Sequence, residues 1–336
     1  MQKRLIIVAC AAALSLALAL VAKESLAEGT KAHTLKIVHT SLPSPNPSRL
    51  AVEELAKRVT RETNRRIKFQ IFGIELGDYL EINEMVKTGE VDFLLDPVAT
   101  SADPRWAALL FPYLVTDYAK AAEIFGPQGF MTDLYRQWAD ENGLVWLGTW
   151  MQGFTGISMD HPATTPEEAK GIKIRSSPLG LLQDTYIHLG FEIIPLPYSE
   201  IPTAISTGLV EGQAGGGPAQ AWNLTRDINK YYVHYRDCLE LWGFLANKKS
   251  WDKLEPDDQK LIQDIVDELV TKRVVSAEAE ERDYMRRLSD HGLTVIDLKD
   301  SPDKLARAAE LGRMSWPKME AIIGKEAMDH IRASLP

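Results

Sequence analysis

Cysteine is nearly absent from these 336 residues: Cys10 and Cys238 are the only two. A disulfide-stapled fold is therefore excluded. No His-Glu-x-x-His, no phosphate-cradling Walker loop, no Gly-x-Ser-x-Gly elbow and no Cys-x-x-Cys pair occurs. The seven histidines (33, 39, 161, 188, 234, 291 and 330) form no closely spaced ligand pair. Nothing in the chain therefore points to a metal, a cofactor or a nucleophilic enzyme. His39 and His161 fall in loop-rich stretches, where solvated side chains are expected. Positive charge is also short. Against 47 acidic residues stand 38 basic ones, a net charge of −9, which excludes a nucleic-acid footprint. With 45% apolar and 25% charged residues the composition is that of a globular protein. The length suits two domains at roughly 100–200 residues each.

One long apolar run exists, and it is at the beginning. Lys3 and Arg4 precede the apolar stretch Leu5–Ala22, and Ser25-Leu26-Ala27 fits a small-x-small cleavage site. Residues 1–27 read as a secretory signal peptide, giving an exported protein that starts at Glu28. Removal of Lys3, Arg4, Lys23 and Glu24 leaves 35 basic against 46 acidic residues, and Cys238 as the sole thiol, expected as a small core residue.

The remainder alternates strands and helices. Leu35–His39 and Ile67–Phe72 alternate apolar and polar side chains as strands do. Between them a Pro/Ser/Asn loop (41–48) precedes a helix with Ala51, Leu55 and Val59 on one face. Leu80–Lys87 reads as a helix closed by Gly89, and Val91–Leu95 as a buried strand ending at Asp96-Pro97. In the second half, Thr165-Pro166-Glu167-Glu168 reads as a capping box. Strand Ile172–Arg175, helix Leu179–Leu189 stopped by Gly190, and strand Phe191–Ile194 follow. This order predicts an α/β fold with parallel sheet elements.

An internal repeat organises the two halves. Glu81–Asp92 matches Glu200–Glu211 without a gap: Glu-Ile, an apolar pair, Thr-Gly, then Val and an acid. It predicts two similar units, each ending a strand at a loop, Asp96-Pro97 and Gly215-Gly216-Gly217-Pro218. Ligands in open α/β sheets sit beyond the carboxyl ends of strands, so two facing ends would form a cleft. Pro256–His291 contains no internal proline or glycine and carries Asp257 and Asp258 in its first turn. As one helix of ~35 residues it would span ~50 Å and brace both units; a break near Ser276 is the alternative.

Several ordered motifs carry a family resemblance. They are Gly171-Ile172-Lys173-Ile174-Arg175, Leu189-Gly190, Pro195-Leu196-Pro197-Tyr198-Ser199-Glu200 and Thr207-Gly208-Leu209-Val210-Glu211-Gly212-Gln213, with Leu76-Gly77, Thr88–Asp92, Asn247–Trp251 and Leu254–Lys260. Together they resemble the DctP-type solute-binding proteins of TRAP transporters over nearly all of the chain after the signal. The resemblance implies a two-lobed, periplasmic-binding-protein-like clamshell, with 33–152 plus 240–280 as the first lobe and 153–239 plus 281–336 as the second. It implies a receptor without cofactor that closes on a small organic acid and hands it to membrane subunits driven by an ion gradient. A receptor serving a sensor, a lipid-related carrier and a periplasmic hydrolase are the rival readings.

The family's ligand arginine falls on Arg175. An arginine at the carboxyl end of a strand can grip a carboxylate with two parallel hydrogen bonds. Two departures follow. Gly153-Phe154-Thr155-Gly156 has Thr155 where relatives often carry a second arginine, and Gln213-Ala214-Gly215-Gly216-Gly217-Pro218 places Gly215 where they often carry asparagine. Backbone N–H groups at Gly215 and Gly216 would take over that role. Trp150 and Gln152, before the first segment, and Trp222, after the second, are further candidates. The two tryptophans either wall the cleft or pack in a core. With one arginine and such a wall, a monocarboxylate with an apolar or aromatic body fits best. In the first unit Glu75, where relatives often carry glutamine, and Asp96 are candidates to accept a ligand hydroxyl or ammonium. Tyr198 completes the candidate set.

Overall fold

The computed structural model describes residues 32–40, 46–177 and 180–334. The expected signal peptide, and most of the loop 41–48, lie outside the described residues. Eleven strands occur in chain order among them: β1 (His33–Val38), β2 (Ile67–Phe72), β3 (Phe93–Asp96), β4 (Leu144–Phe154), β5 (Gly156–Met159), β6 (Lys173–Ser176), β7 (Glu192–Pro195), β8 (Gly212–Gly216), β9 (Tyr231–His234), β10 (Leu239–Asn247) and β11 (Thr294–Asp297). They form two sheets, ordered β2-β1-β3-β10-β4 and β11-β9-β5-β8-β6-β7. In the first, β1 runs parallel to β2 and β3, while β10 is antiparallel to β3 and β4. In the second, β6 runs parallel to β7 and β8. The protein is thus a two-lobed α/β structure. The chain passes between the sheets at Thr155, again between β9 and β10, and along one long helix.

The repeat is structural. Helices Tyr79–Thr88 and Ile201–Ser206 both end at a glycine with positive φ, Gly89 (85°) and Gly208 (73°), which side chains bearing a Cβ rarely adopt. β3 and β8 then begin at equivalent positions, Phe93 and Gly212. The conserved-charge position of the repeat has a visible purpose. Asp92 N donates to Lys36 O (3.1 Å) and Asp92 Oδ2 accepts from Lys36 N (2.7 Å). In the second copy Glu211 N donates to Lys173 O (2.7 Å) and Glu211 Oε1 accepts from Lys173 N (3.4 Å). The acid clamps the start of the parallel neighbour in both sheets.

The capping chemistry falls partly elsewhere than the motif suggests. Thr165 Oγ1 does accept from Glu168 N (3.4 Å), but the Glu168 carboxylate turns to Thr164 N and Oγ1 (both 2.8 Å). The reciprocal box forms instead at Asp78 and Glu81, where each side chain accepts from the other's backbone N–H.

Pro256–His291 is a single 36-residue helix, closed by Gly292 at φ 111°. Ile262, Ile265, Val266 and Val270 enter the core of the first sheet, with Leu55 and Val59 of helix Pro47–Glu62. Leu288, further along, packs with Tyr232 of the second sheet. Gly148 lets the helix approach β4: a Cβ there would lie 3.0 Å from Val266 Cγ1 and 3.1 Å from Val270 Cγ1. The helix does not break at Ser276, whose hydroxyl donates to Arg273 O (3.1 Å). Amide exchange should therefore show protection continuing through residues 270–285, and a sharp loss at 276 would contradict a rigid brace. The last helices, Trp316–Ile323 and Lys325–Ala333, cross back onto the first sheet, where Met319 and Ile331 share a core with Leu94 and Leu245.

Candidate functional site

Arg175 stands at the end of β6, opposite Gln213 of β8 and Ile194 of β7. It is 5% exposed. Its Nε donates to Leu196 O (2.8 Å), and no carboxylate pairs with it among the described residues. The other two buried arginines are neutralised. Arg236 pairs with Glu281 (2.9 Å) and Asp297 (3.2 Å), and Arg273 with Glu280 (2.5 Å). Burial pushes the Arg175 guanidinium pKa down, opposed by the phenols of Tyr186 and Tyr198. A buried cation without a counter-charge is costly, and an anionic ligand would remove that cost.

Beside it, β8 presents nearly bare backbone. A Cβ at Gly216 would meet Gln220 Oε1 at 2.3 Å and Gln213 Oε1 at 2.9 Å. Gly215, at φ 82°, is turned the other way, its Cβ position 3.2 Å from the Tyr186 hydroxyl. Gly216 is thus the position flanked by amide side chains, and Gly215 points to the interior. Gln213 is buried and donates from Nε2 to Ala214 O (2.8 Å). Tyr198, on the short turn Tyr198–Glu200 after β7, is half exposed. Burial raises its pKa, a hydrogen bond with Gln220 lowers it, and Glu240 and Arg175 act on it with opposite signs.

The first-lobe wall is built at the ends of β1 and β3 and the beginning of β10. Asp96 is 1% exposed; its Oδ2 accepts from Thr40 N (2.7 Å) and Oγ1 (2.5 Å), and its Oδ1 has no partner. Burial raises its pKa to about 6 against the Thr40 hydrogen bonds. His39 is not solvated as its loop position suggests but buried, with Nδ1 2.6 Å from Leu95 O. A carbonyl only accepts, so Nδ1 carries the proton. Burial lowers the His39 pKa to about 4, against the Leu95 hydrogen bond and with a smaller contribution from Arg49. His161, by contrast, is exposed as expected. The His39 ring lies 5.9 Å from Trp242, whose Nε1 donates to Glu240 Oε1 (3.0 Å). Glu75 sits exposed at the rim and accepts from Gly73 N (2.7 Å), which lowers its pKa.

The remaining candidates lie in the crossover or in the cores. Thr155 Oγ1 donates toward Asp237 Oδ2 and Cys238 O (both 3.0 Å), so it is consumed in the hinge. Phe154 is buried between Tyr118 and the Arg236 guanidinium, and its N donates to Glu281 Oε2 (3.2 Å). Gln152, half buried, accepts through its carbonyl from Arg273 (2.8 Å). Trp150 is 3% exposed within the first-sheet core, under Arg273. Trp222, half buried, has the Arg226 guanidinium over its ring and meets His291, at the end of the long helix, edge to face. Trp150 is thus a core residue, while Trp222 lies half buried against the small cluster around Tyr232 and Leu288. Trp242, near the start of β10 and partly buried against the first-sheet core, donates to Glu240; sequence reasoning singled out neither of these two nor Gln220. The available signal was the polar pattern Glu240-x-Trp242 in an otherwise apolar strand. Cys238 is a buried free thiol, as expected.

A separate concavity between Thr164, Leu189, Lys304 and Arg307 shares no residue with these walls. Its cations are already engaged, Lys304 with Thr164 (2.7 Å) and Arg307 with Glu310 (2.7 Å).

The comparisons with known proteins place this two-lobed α/β chain among solute-binding receptors. The chain belongs to the bacterial extracellular solute-binding protein family 7, the DctP family, whose model matches residues 37–321. It is 26% identical over 292 residues to the ectoine-binding periplasmic protein TeaA of Halomonas elongata, covering 82% of this chain and 83% of the relative. A solute-binding protein of Verminephrobacter eiseniae is 27% identical, with 90% of both chains covered. Among solved structures, a TRAP periplasmic solute-binding protein of Ochrobactrum anthropi superposes with a TM-score of 0.83 at 22% identity, over 90% of this chain and 95% of that one. Another, from Desulfovibrio salexigens, gives 0.79 at 24%, over 90% and 97%.

Proposed function

We propose that the protein is the periplasmic receptor of a TRAP transporter, and that it binds a small organic acid between its lobes through Arg175. The observation that carries this reading is the buried Arg175 guanidinium without an acidic partner among the described residues. Its terminal nitrogens suit a carboxylate fork. Gly216 backbone and the amides of Gln213 and Gln220 flank it and would replace a second cation. One guanidinium favours a monocarboxylate, with an apolar or aromatic body against Trp242 and Tyr198. Asp96 and Glu75, on the first-lobe side, would meet ligand hydroxyls or lie at the rim.

The lobes would be 33–152 plus 240–280 and 153–239 plus 281–336, hinged at Phe154-Thr155 and Arg236-Asp237, and would close on the solute before its delivery to the transporter's membrane subunits. The bound molecules named for structural neighbours, orotic acid, L-gulonate, D-glucuronate and pyroglutamic acid, fit an acid reading. A thermal-shift screen of aliphatic and aromatic acids is the test. Binding to the folded state alone adds RT ln(1 + [L]/Kd), about 2.7 kcal/mol at a hundredfold excess over Kd. At least one acid should raise the melting temperature; a panel without any shift would reject the reading.

A further inference from the structure

Arg175 is not the only unmet charge between the lobes. Glu240 stands near the start of β10, which extends past the point where Gly243 pairs with Asp96, the last residue of β3. The strand's beginning therefore projects beyond the carboxyl end of its neighbour, on the cleft side. Glu240 is half buried, and its one hydrogen bond among the described residues comes from Trp242 Nε1 (3.0 Å). Among the described residues no lysine, arginine or histidine pairs with it. Desolvation raises its pKa. It acts on the same Tyr198 phenol as Arg175, yet forms no ion pair with that arginine. An uncompensated cation and an uncompensated anion thus lie on opposite lobes, separated by a tyrosine, with an indole next to the anion. A plain carboxylic acid would relieve the first and leave the second desolvated. Two rows of chemistry are left to be matched by one molecule.

We propose that the ligand is zwitterionic, with its carboxylate on Arg175 and a cationic nitrogen on Glu240 beside the Trp242 ring. This rests on the carboxylate reading above and adds the second pole. The indole face favours an ammonium or amidinium over a neutral group, since its quadrupole attracts cations. The carboxylate left free to accept from that nitrogen supplies a charge-assisted hydrogen bond. Bridging two oppositely charged lobes also gives the ligand a reason to stabilise the closed form, because each pole is satisfied by a different lobe.

Matched probe pairs test the proposal by calorimetry: L-phenylalanine against 3-phenylpropionate, and L-proline against cyclopentanecarboxylate, with further pairs built around any acid that scores in the thermal screen. In the wild type, the amine-bearing member of the best-bound pair should bind at least about tenfold tighter than its deamino counterpart, the scale of one charge-assisted hydrogen bond. Glu240→Gln keeps an acceptor for Trp242 and removes the charge. It should abolish that preference while leaving the deamino acid's affinity within about twofold. Equal binding of the two members by the wild type overturns the proposal without any mutant, as does an E240Q protein that weakens both members alike. In either case binding of the deamino acids would leave the Arg175 reading standing. If no acid of either kind binds, the carboxylate reading itself fails and takes this one with it.

Discussion

Arg175→Ala is expected to weaken binding of the best acid from the screen by about 2–5 kcal/mol, because the ligand carboxylate would be left desolvated and unpaired. That is a loss of roughly 30-fold to several thousand-fold. Arg175→Lys restores the charge but not the planar fork, so it should recover only part of the affinity. The unliganded protein should respond in the opposite sense. Its guanidinium is 5% exposed and meets only the Leu196 carbonyl through Nε. Replacing it by methionine, of similar reach, removes a buried charge that nothing among the described residues compensates. Arg175→Met should therefore melt no lower than wild type, and above it if the replacement packs well. Calorimetric titration and melting curves of the three variants check both halves. Near-wild-type affinity in the alanine variant would sink the carboxylate clamp.

The second large effect is on stability, and it comes from two neighbouring strand ends of the first lobe. His39 has its pKa lowered from 6.5 to about 4 by burial. Between those values the unfolded chain binds the proton and the native one does not, so stability is full above pH 6.5 and is lost as pH falls toward 4. Asp96 has its pKa raised from 3.8 to about 6 by burial. Here the native state holds the proton more tightly, so stability is full below pH 3.8 and is lost as pH rises toward 6. At 1.36 kcal/mol per unit each contributes about 3 kcal/mol, and over most of this window they cancel. Each single substitution should expose the other. Relative to wild type, Asp96→Asn should gain about 3 kcal/mol between pH 4 and pH 7, and His39→Gln should gain a similar amount between pH 7 and pH 4. Denaturant unfolding of the unliganded proteins at both pH values measures this. Differences from wild type that stay constant with pH would show that neither group is as desolvated as its position indicates.

Both effects involve residues that local sequence described poorly. His39 follows an alternating strand and precedes a Pro/Ser/Asn loop, which reads as solvent. The helix Pro47–Glu62 folds back over it and brings Ser48 Oγ to within 3.0 Å of Nε2. Trp150 and Trp222 bracketed the recognisable motifs and were plausible cleft residues. β4 turns Trp150 into the first-sheet core under Arg273, and Trp222 lies half buried beside the end of the long helix. Thr155, in the place of a second arginine, is occupied by Asp237 and Cys238 across the crossover. Gly215 and Gly216 are adjacent and chemically identical, and only the positive φ of Gly215 distinguishes the one that faces Tyr186.

By itself the sequence determined what is local. Alternation set the strands, glycines after the helices set their ends, the uninterrupted run from Pro256 set the brace, and the gapless repeat set two similar helix–strand units. Such features depend on spacing along the chain and on backbone chemistry, so one strand or helix is enough to reveal them. The tertiary structure alone decided which charges go unmet. Arg273 meets Glu280 two turns further along its own helix, but Arg236 finds carboxylates only because the long helix and β11 deliver Glu281 and Asp297 to it, and Arg175 finds none among the described residues. Glu240 and Arg175 are 65 residues apart and belong to different sheets. That both act on the Tyr198 phenol depends on where the two sheets place them, because an electrostatic interaction depends on distance and burial in space and leaves no periodic trace along the chain.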